Sequence, residues 1–592
     1  MRPLALVLAL LTSSTLIGFA CAVPARAQSA ATVADDALAS LVDDWWGWRL
    51  AEDPLFASYV GERAHADRLP DVAPQAVAAR AQAADAYLRR LDAIDADALV
   101  GEDRITARIL RTLLADVRDA ARFRAERTPI TASDGFHVAF TRLPNQMPAT
   151  TVAEVENYLA RLLAWPGYVD AQIANLRAGL ASGHTVPAVA ISGLPATASA
   201  HVVDAPEASV FWAPFAALPA TIPEPERERL AQAGREAISQ AVVPGYRTLA
   251  AFLQDEYLPG ARETIGLSDT PDGEAAYAWR VRQFTTLDTT PQAVHAVGLA
   301  EVERVRAEMD AVIAEVGFEG SFDDFLTFLR TDPQFVAESP EALLREGAWI
   351  AMQMNARLPQ LFGRLPRLPY TVAPVPDFLA PTFTAGFYVE PPAGGRVPGV
   401  YWINTYDLAS RPTWALEALT FHEAVPGHHL QIALAQELDH LPAFRRALVL
   451  TAYEEGWGLY AESLGAEAGF YTDPYRRFGR LTYEMWRACR LVVDTGMHAF
   501  GWSRQQARDY LADRTALSEL EVRTEVDRYI AWPGQALGYK MGELTIRRVR
   551  TEAEAALGPR FDVRAFHDEV LGHGELPMGV LEAVVRDWIA RQ

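Results

Sequence analysis

The chain has 592 residues and a formal net charge of −22; half of its residues are hydrophobic and 22% are charged. This composition is typical of a globular protein with a large core and excludes a disordered chain. The excess of acidic residues disfavours a surface that follows a phosphate backbone, so we expect no nucleic-acid partner.

The N-terminus has the features of an export signal. Arg2 is followed by an apolar run and then by the tripeptide Ala25-Arg26-Ala27. A basic start, an apolar centre and an A-x-A site predict a signal peptide over residues 1–27, with a periplasmic or secreted mature protein. The short apolar centre leads directly into the cleavage site, so we expect no stable membrane span. Lipidation at Cys21 is the less favoured alternative, because GFAC lacks the usual aliphatic residue three positions before the cysteine.

The remaining chain, residues 28–592, has the periodicity of a mainly α-helical domain. Between residues 292 and 317, valines and a methionine recur at three- to five-residue steps among charged residues. Similar patterns predict helices over residues 35–50, 73–125, 151–180, 224–255, 341–358, 414–440, 445–468, 475–500 and 504–513. Residues 366–381 are rich in proline and are predicted to form a connector.

One segment has a different character. Residues 382–407 contain the aromatic and β-branched runs FTAGFYVEPP and GVYWINTYD, separated by the turn-forming sequence AGGRVP. This pattern predicts a β-hairpin or small sheet just before the richest cluster of polar residues. One hypothesis is that the strand GVYWINTYD pairs along its edge with an extended substrate, with Asn404 binding the substrate backbone.

The chemistry is concentrated in the sequence HEAVPGHH, from His422 to His429. Zinc binds imidazole nitrogens and carboxylate oxygens, and a zinc hydrolase also needs a carboxylate beside the attacking water. The usual helical motif H-E-x-x-H has its histidines four residues apart, but the fourth residue after His422 is Pro426. His428 is six residues after His422, which on a regular helix is about 9 Å along the axis and on a different face. A shared metal therefore requires the helix to break at Pro426-Gly427, where proline removes a donor and glycine permits unusual dihedrals.

A third ligand is expected from a later helix. The sequence LTAYEEGWGLYAESLG contains Glu454, Glu455 and Glu462, and the last two share a helical face. Sequence spacing leaves the choice of glutamate open, as it leaves open whether His428 or His429 binds the metal.

Several motifs together resemble a known family. HEAVPGHHLQ, YEEGWGLYAE, DRYIAWPGQALGYKMGELTI and FHDEVLGHGELPMGVLE are similar to the bacterial family catalogued as domain of unknown function 885. DPLFASYVGERAHADRLPD and RVPGVYWINTYDL extend the resemblance over nearly all of the predicted mature chain. The family is regarded as distantly related to helical gluzincin-type zinc peptidases, such as the Taq-type carboxypeptidases and thimet oligopeptidase. Those relatives imply a deep cleft, with two helical halves flanking it as one arrangement.

The resemblance also implies roles for individual residues. His422, His428 and Glu455 would bind Zn²⁺, Glu423 would act as the general base, and Tyr539 would stabilise the oxyanion, with Tyr529 as the second candidate. The two extra residues inside the histidine motif depart from the relatives and keep His429 open as an alternative to His428. Arg528 is a candidate for binding the carboxylate of a substrate.

The function expected from these residues is zinc-dependent hydrolysis of small peptides, by a carboxypeptidase or an oligopeptidase. Two alternatives remain: a periplasmic protein that binds metal or peptide without catalysis, and a zinc-dependent hydrolase of esters or non-peptide amides. The oligomeric state is not predicted.

Overall fold

The computed structural model of the protein describes residues 30–131, 134–377, 380, 384–391 and 397–592. The predicted signal peptide, Cys21 and most of the predicted turn AGGRVP lie outside the described residues. Helices account for 70% of the structure, which confirms the predicted mainly α-helical class. None of the described helices is both long and apolar enough to cross a membrane.

The first part of the chain is built from helices that end before the sheet. They are α1 (Ala30–Glu52), α2 (Pro54–Tyr59), α3 (Pro74–Asp92), α4 (Gly101–Arg122), α5 (Phe136–Phe140), α6 (Leu143–Gln146), α7 (Val152–Ser182), α8 (Leu194–Ser199), α9 (Ala213–Ala216), α10 (Glu224–Ala237), α11 (Val243–Phe252), α12 (Leu258–Gly260), α13 (Gly273–Thr285), α14 (Pro291–Val316), α15 (Phe322–Thr331), α16 (Pro340–Asn355) and α17 (Leu358–Leu361). Two π-helical turns, Ile238–Val242 and Leu253–Tyr257, join α10, α11 and α12 into the continuous helix expected there.

The second part of the chain contains the helices that carry the predicted site. They are α18 (Leu416–Glu423), α19 (His428–Gln436), α20 (Ala443–Arg446), α21 (Thr451–Glu467), α22 (Pro474–Ala499), α23 (Arg504–Ala512), α24 (Glu519–Ala531), α25 (Gly538–Leu557), α26 (Val563–Leu571) and α27 (Met578–Arg591). Among the helices of eight or more residues, the last four, together with α13 and α15, were not among the predicted segments.

Two predicted helices are each divided in the structure. The segment 73–125 forms α3 and α4, which pack against each other. The segment 414–440 forms α18 and α19, and its break lies inside the histidine motif. In both cases the two halves have helical periodicity, so periodicity alone did not separate them.

The helix α22 lies at the centre of the site region. It packs against α14, α18 and α25, and its residues are buried on nearly every face between Phe478 and His498. A helix buried all round offers its polar side chains to neighbouring elements rather than to water. Its arginines Arg487 and Arg490 are therefore buried, with Arg487 near Glu462 of α21 and Arg490 against the ring of Tyr539 of α25.

A three-stranded sheet stands beside α18, with β1 (Tyr370–Pro374), β2 (Gly386–Val389) and β3 (Gly399–Ile403) in the order β1-β3-β2. β2 and β3 are antiparallel, which confirms the predicted hairpin, whereas β1 lies in the expected connector and pairs with β3 in parallel. Because β3 is the central strand, both of its edges are paired. The hypothesis that GVYWINTYD offers an edge to a substrate is therefore wrong.

Candidate metal centre

The helix of the histidine motif breaks where the metal hypothesis requires it. α18 ends at Glu423, and Ala424 leaves the helical region with φ −96° and ψ −103°. Gly427 has φ −80° and ψ −129°, and α19 begins at His428. A Cβ atom at Gly427 would overlap the carbonyl oxygens of Phe421 and His422, so the chain can turn back this closely only at a glycine.

The break brings three predicted ligands together. Nε2 of His422 lies 3.3 Å from Oε2 of Glu455, and Nε2 of His428 lies 3.6 Å from the same oxygen. The ligand atoms of these three residues all lie within 4.8 Å of one another. Ligands at about 2 Å from a tetrahedral zinc ion are separated from one another by about 3.3 Å. The spacing and the donor types therefore fit a zinc ion held by His422, His428 and Glu455.

His422, His428 and Glu455 shift one another's pKa values. Although burial alone would lower it, hydrogen bonds to Glu455 and Glu462 raise the pKa of His422 to about 9. Burial opposes the charge of Glu455, but hydrogen bonds from His422 and His428 hold the pKa of that carboxyl well below its usual range. The carboxylate is thus ionised, as a metal ligand must be, whereas a metal ion that binds His422 would have to displace the proton that its raised pKa implies at neutral pH.

A second carboxylate orients His422 from behind. Nδ1 of His422 lies 2.9 Å from Oε1 of Glu462, which is 1% exposed and sits two helical turns after Glu455 on α21. A histidine that binds metal through one nitrogen commonly donates from the other to a carboxylate, which fixes its tautomer and orientation. The sequence indicated that Glu455 and Glu462 share a helical face. It did not indicate that Glu455 contacts Nε2 and Glu462 contacts Nδ1 of the same residue, His422.

Tight packing also positions the motif. A Cβ atom at Gly458 would lie 2.7 Å from Cε1 of His422, so the imidazole rests directly on the backbone of α21. The indole Nε1 of Trp457 donates to the carbonyl of Pro426 at 2.8 Å and ties the broken segment to the same helix. The sequence did not predict these contacts of Trp457 and Gly458, although both residues lie within three positions of the predicted ligand Glu455.

The predicted base, Glu423, follows His422 and is held by the sheet. The backbone N–H of Tyr388 on β2 donates to Oε2 of Glu423 at 2.9 Å. Its other carboxylate oxygen accepts no hydrogen bond from the described residues. Burial lowers the pKa of His422 and of His428, and the negative charge of Glu423 is among the influences that raise both pKa values again. The carboxylate is therefore oriented by β2 and adjacent to the three converging ligands.

His429 has a different environment from His428. Its Nδ1 lies 2.9 Å from the hydroxyl of Tyr388, and its ring lies 4.4 Å from that of Tyr370. Burial lowers the pKa of His429 to about 4. The structure thus brings His428, and not His429, to Glu455.

Of the two tyrosines predicted as oxyanion donors, Tyr539 lies at the predicted metal ligands and Tyr529 does not. Burial, together with the charge of Glu455 and a hydrogen bond to it, raises the pKa of Tyr539 to about 12, and the guanidinium of Arg490 stacks 4.3 Å from the Tyr539 ring. The hydroxyl of Tyr529 instead accepts from Trp486 and Arg490 and donates to Glu525 at 2.7 Å. Tyr539 is therefore the tyrosine that contacts the ligand set.

The two predicted substrate-binding residues have internal partners. Arg528 donates to both oxygens of Glu525, at 3.2 and 2.9 Å, and to Oε1 of Gln535 at 2.6 Å. Asn404 is buried, and its amide donates to the carbonyls of Ala380 and Thr384. These bonds stabilise the protein's own loops, and substrate binding by either side chain stays a prediction.

Two solved structures have the same overall fold as this chain. The chain resembles the structure of a "putative lipoprotein" from Colwellia psychrerythraea, with 28% identity and a TM-score of 0.86 over 94% of this chain and all of that one. It also resembles a "putative lipoprotein of unknown function" from Shewanella oneidensis, with 18% identity and a TM-score of 0.73 over 95% of this chain and all of that one. No curated protein matches the chain. The family described as "Bacterial protein of unknown function (DUF885)" matches residues 54–585, and the chain belongs to this family.

Proposed function

We propose that the protein is an exported zinc-dependent peptidase that hydrolyses small peptides. The observation that carries this proposal is that a helix break brings His422, His428 and Glu455 together next to Glu423. Two imidazoles and one carboxylate form a donor set used by catalytic zinc, which leaves one coordination position for water or substrate. The relation to gluzincin-type peptidases is part of this proposal.

Each residue of the site has a distinct task in peptide hydrolysis. Zinc, when bound, supplies a Lewis acid and an acidified water molecule. Glu423, whose carboxylate is aimed by the Tyr388 N–H, removes the proton from the attacking water and delivers it to the leaving amine. The hydroxyl of Tyr539, which donates to Glu455 in the structure, turns its hydrogen bond to the oxyanion that forms at the carbonyl. A tyrosine hydroxyl is protonated at neutral pH, and burial raises the pKa of Tyr539 further, to about 12.

A peptide-library digest with the zinc-loaded protein tests the proposal and separates it from the alternatives. We expect cleavage of short peptides by the wild-type protein and none by Glu423→Gln. Glutamine retains an oxygen that accepts from Tyr388, so this substitution removes the base and preserves the local structure. Zinc binding without turnover of any substrate would favour a binding protein, and cleavage of esters but not peptides would favour the non-peptide hydrolase.

We base the proposed export on the predicted signal peptide. The two structural relatives are described as lipoproteins, which supports the alternative that Cys21 is lipidated. Mass spectrometry of the mature N-terminus decides between them. Cleavage after Ala27 leaves an unmodified N-terminus at Gln28, whereas lipidation leaves an acylated Cys21 as the first residue.

A further inference from the structure

A cavity of about 290 Å³ lies between α18, β3, α22 and the segment before α24. Its walls are mainly apolar and include Leu343, Ile403, Trp414, Leu416, Leu419 and Leu517. Two arginines and two acidic residues line part of its surface, so their formal charges balance: Arg330, Arg411, Asp407 and Glu521. A wholly apolar cavity of about 150 Å³ takes up benzene, so a cavity of about 290 Å³ has the volume for a large aromatic side chain.

The helix α18 connects the cavity with the predicted base. Leu416 and Leu419 line the cavity, and Glu423 follows them at the spacing that keeps three residues on one helical face. Glu423 is four residues beyond Leu419, which is about 6 Å along the helix. The chain that leads into β2 makes a second connection, since Ala385 lines the cavity and the backbone N–H of Tyr388, three residues later, donates to Glu423.

The helix α22 forms a third connection. Tyr483 lines the cavity, and the guanidinium of Arg487 stacks 4.8 Å from its ring. Nη2 of Arg487 lies 3.8 Å from Oε1 of Glu462, the carboxylate that orients His422. The cavity and the metal centre are therefore neighbouring parts of one region.

We propose that this cavity is the specificity pocket of the enzyme and takes a large apolar or aromatic side chain of the substrate. An extended peptide advances about 3.3 Å per residue, so a residue within two positions of the cleaved bond reaches the cavity from Glu423. Apolar walls favour such a side chain, whereas a charged side chain would lose its hydration there. This inference rests on the proposed peptidase function and specifies its substrate class.

The test uses peptides that differ only at one position near the cleaved bond, with alanine, phenylalanine, tryptophan or aspartate there. We expect kcat/KM to be about 10- to 100-fold higher for phenylalanine than for alanine, and lowest for aspartate. Ala409→Trp adds a bulky side chain at an exposed position of the cavity wall and should reduce the phenylalanine preference at least about 10-fold, with little effect on the alanine peptide. Ala512→Trp, at an exposed position outside the cavity lining, is the matched control and should leave the preference unchanged.

The outcomes separate the pocket from the peptidase function. Equal kcat/KM across the peptides, or a loss in Ala409→Trp that is the same for all of them, overturns the pocket while the peptidase function stands. If no peptide is cleaved, titration with N-acetyl-phenylalanine amide decides the pocket: saturable binding that Ala409→Trp removes supports it, and no binding overturns it. Leu343→Ala enlarges the same wall and should shift the preference towards tryptophan, which provides a second variant if Ala409→Trp does not fold.

Discussion

A methyl group at Gly458 should weaken zinc binding by displacing the imidazole of His422 while leaving all three ligand residues in the chain. The added Cβ would lie 2.7 Å from Cε1 and 2.9 Å from Nε2 of His422, whereas ordinary contacts of this kind begin at 3.4 Å. The imidazole would have to move by about 0.7 Å, and it cannot do so freely because Glu462 holds its Nδ1 at 2.9 Å. Such a shift exceeds the tolerance of about 0.2 Å in metal–ligand distances.

We therefore expect Gly458→Ala to lower zinc affinity about 10- to 100-fold, which corresponds to about 1.4 to 2.7 kcal/mol. Competition with a chromophoric chelator measures this affinity in the purified protein. Gly579→Ala is the matched control, because Gly579 is also helical and a Cβ there meets no atom within 4 Å. The reasoning is refuted if Gly458→Ala folds and binds zinc as tightly as the control.

Three further predictions concern the histidines and Tyr539. His428→Ala should abolish stoichiometric zinc binding and His429→Ala should retain it, as measured by metal analysis after dialysis; the reverse result would contradict the assignment. Tyr539→Phe should lower kcat about 10²- to 10³-fold with little change in KM, and an unchanged kcat would exclude the hydroxyl as the oxyanion donor. Burial lowers the pKa of His567 to about 3, and its Nε2 is bonded to the hydroxyl of Tyr460. As pH falls below about 6.5, His567 therefore binds a proton in the unfolded chain before it does so in the folded protein. His567 should therefore reduce the free energy of unfolding by about 2 kcal/mol between pH 7 and pH 5, and urea titrations should show this loss missing in His567→Gln.

The sequence was sufficient to predict the fold class and several helices closely. Helix α14 is an example, since its valines recur at helical spacing, and the predicted range 292–317 compares with Pro291–Val316 in the structure. The strand β1 was missed because Tyr370–Pro374 is flanked by prolines and was assigned to a connector. Its partner β3 then seemed free to bind a substrate, although pairing between distant segments leaves it in the centre of the sheet.

The site was predicted in its residue types and less well in its contacts. The positions of Pro426 and Gly427 predicted a helix break, because a regular helix would separate His422 from His428. Spacing could not distinguish His428 from His429, since both lie directly after the break and only the direction of the new helix separates them. The bond from Tyr388 to Glu423 and the packing of Gly458 on His422 depend on tertiary contacts between separate elements, which no local pattern reports.

The central claim is that zinc held by His422, His428 and Glu455 works with Glu423 as a base. Zinc content and peptide turnover measured on the same samples of wild-type protein and Glu423→Gln test it most directly. We predict one zinc ion per chain in both proteins, with turnover in the wild type and a loss of at least about 10²-fold in the variant. Unchanged turnover in Glu423→Gln, or a wild-type protein that cleaves peptides without any bound metal, would contradict the account.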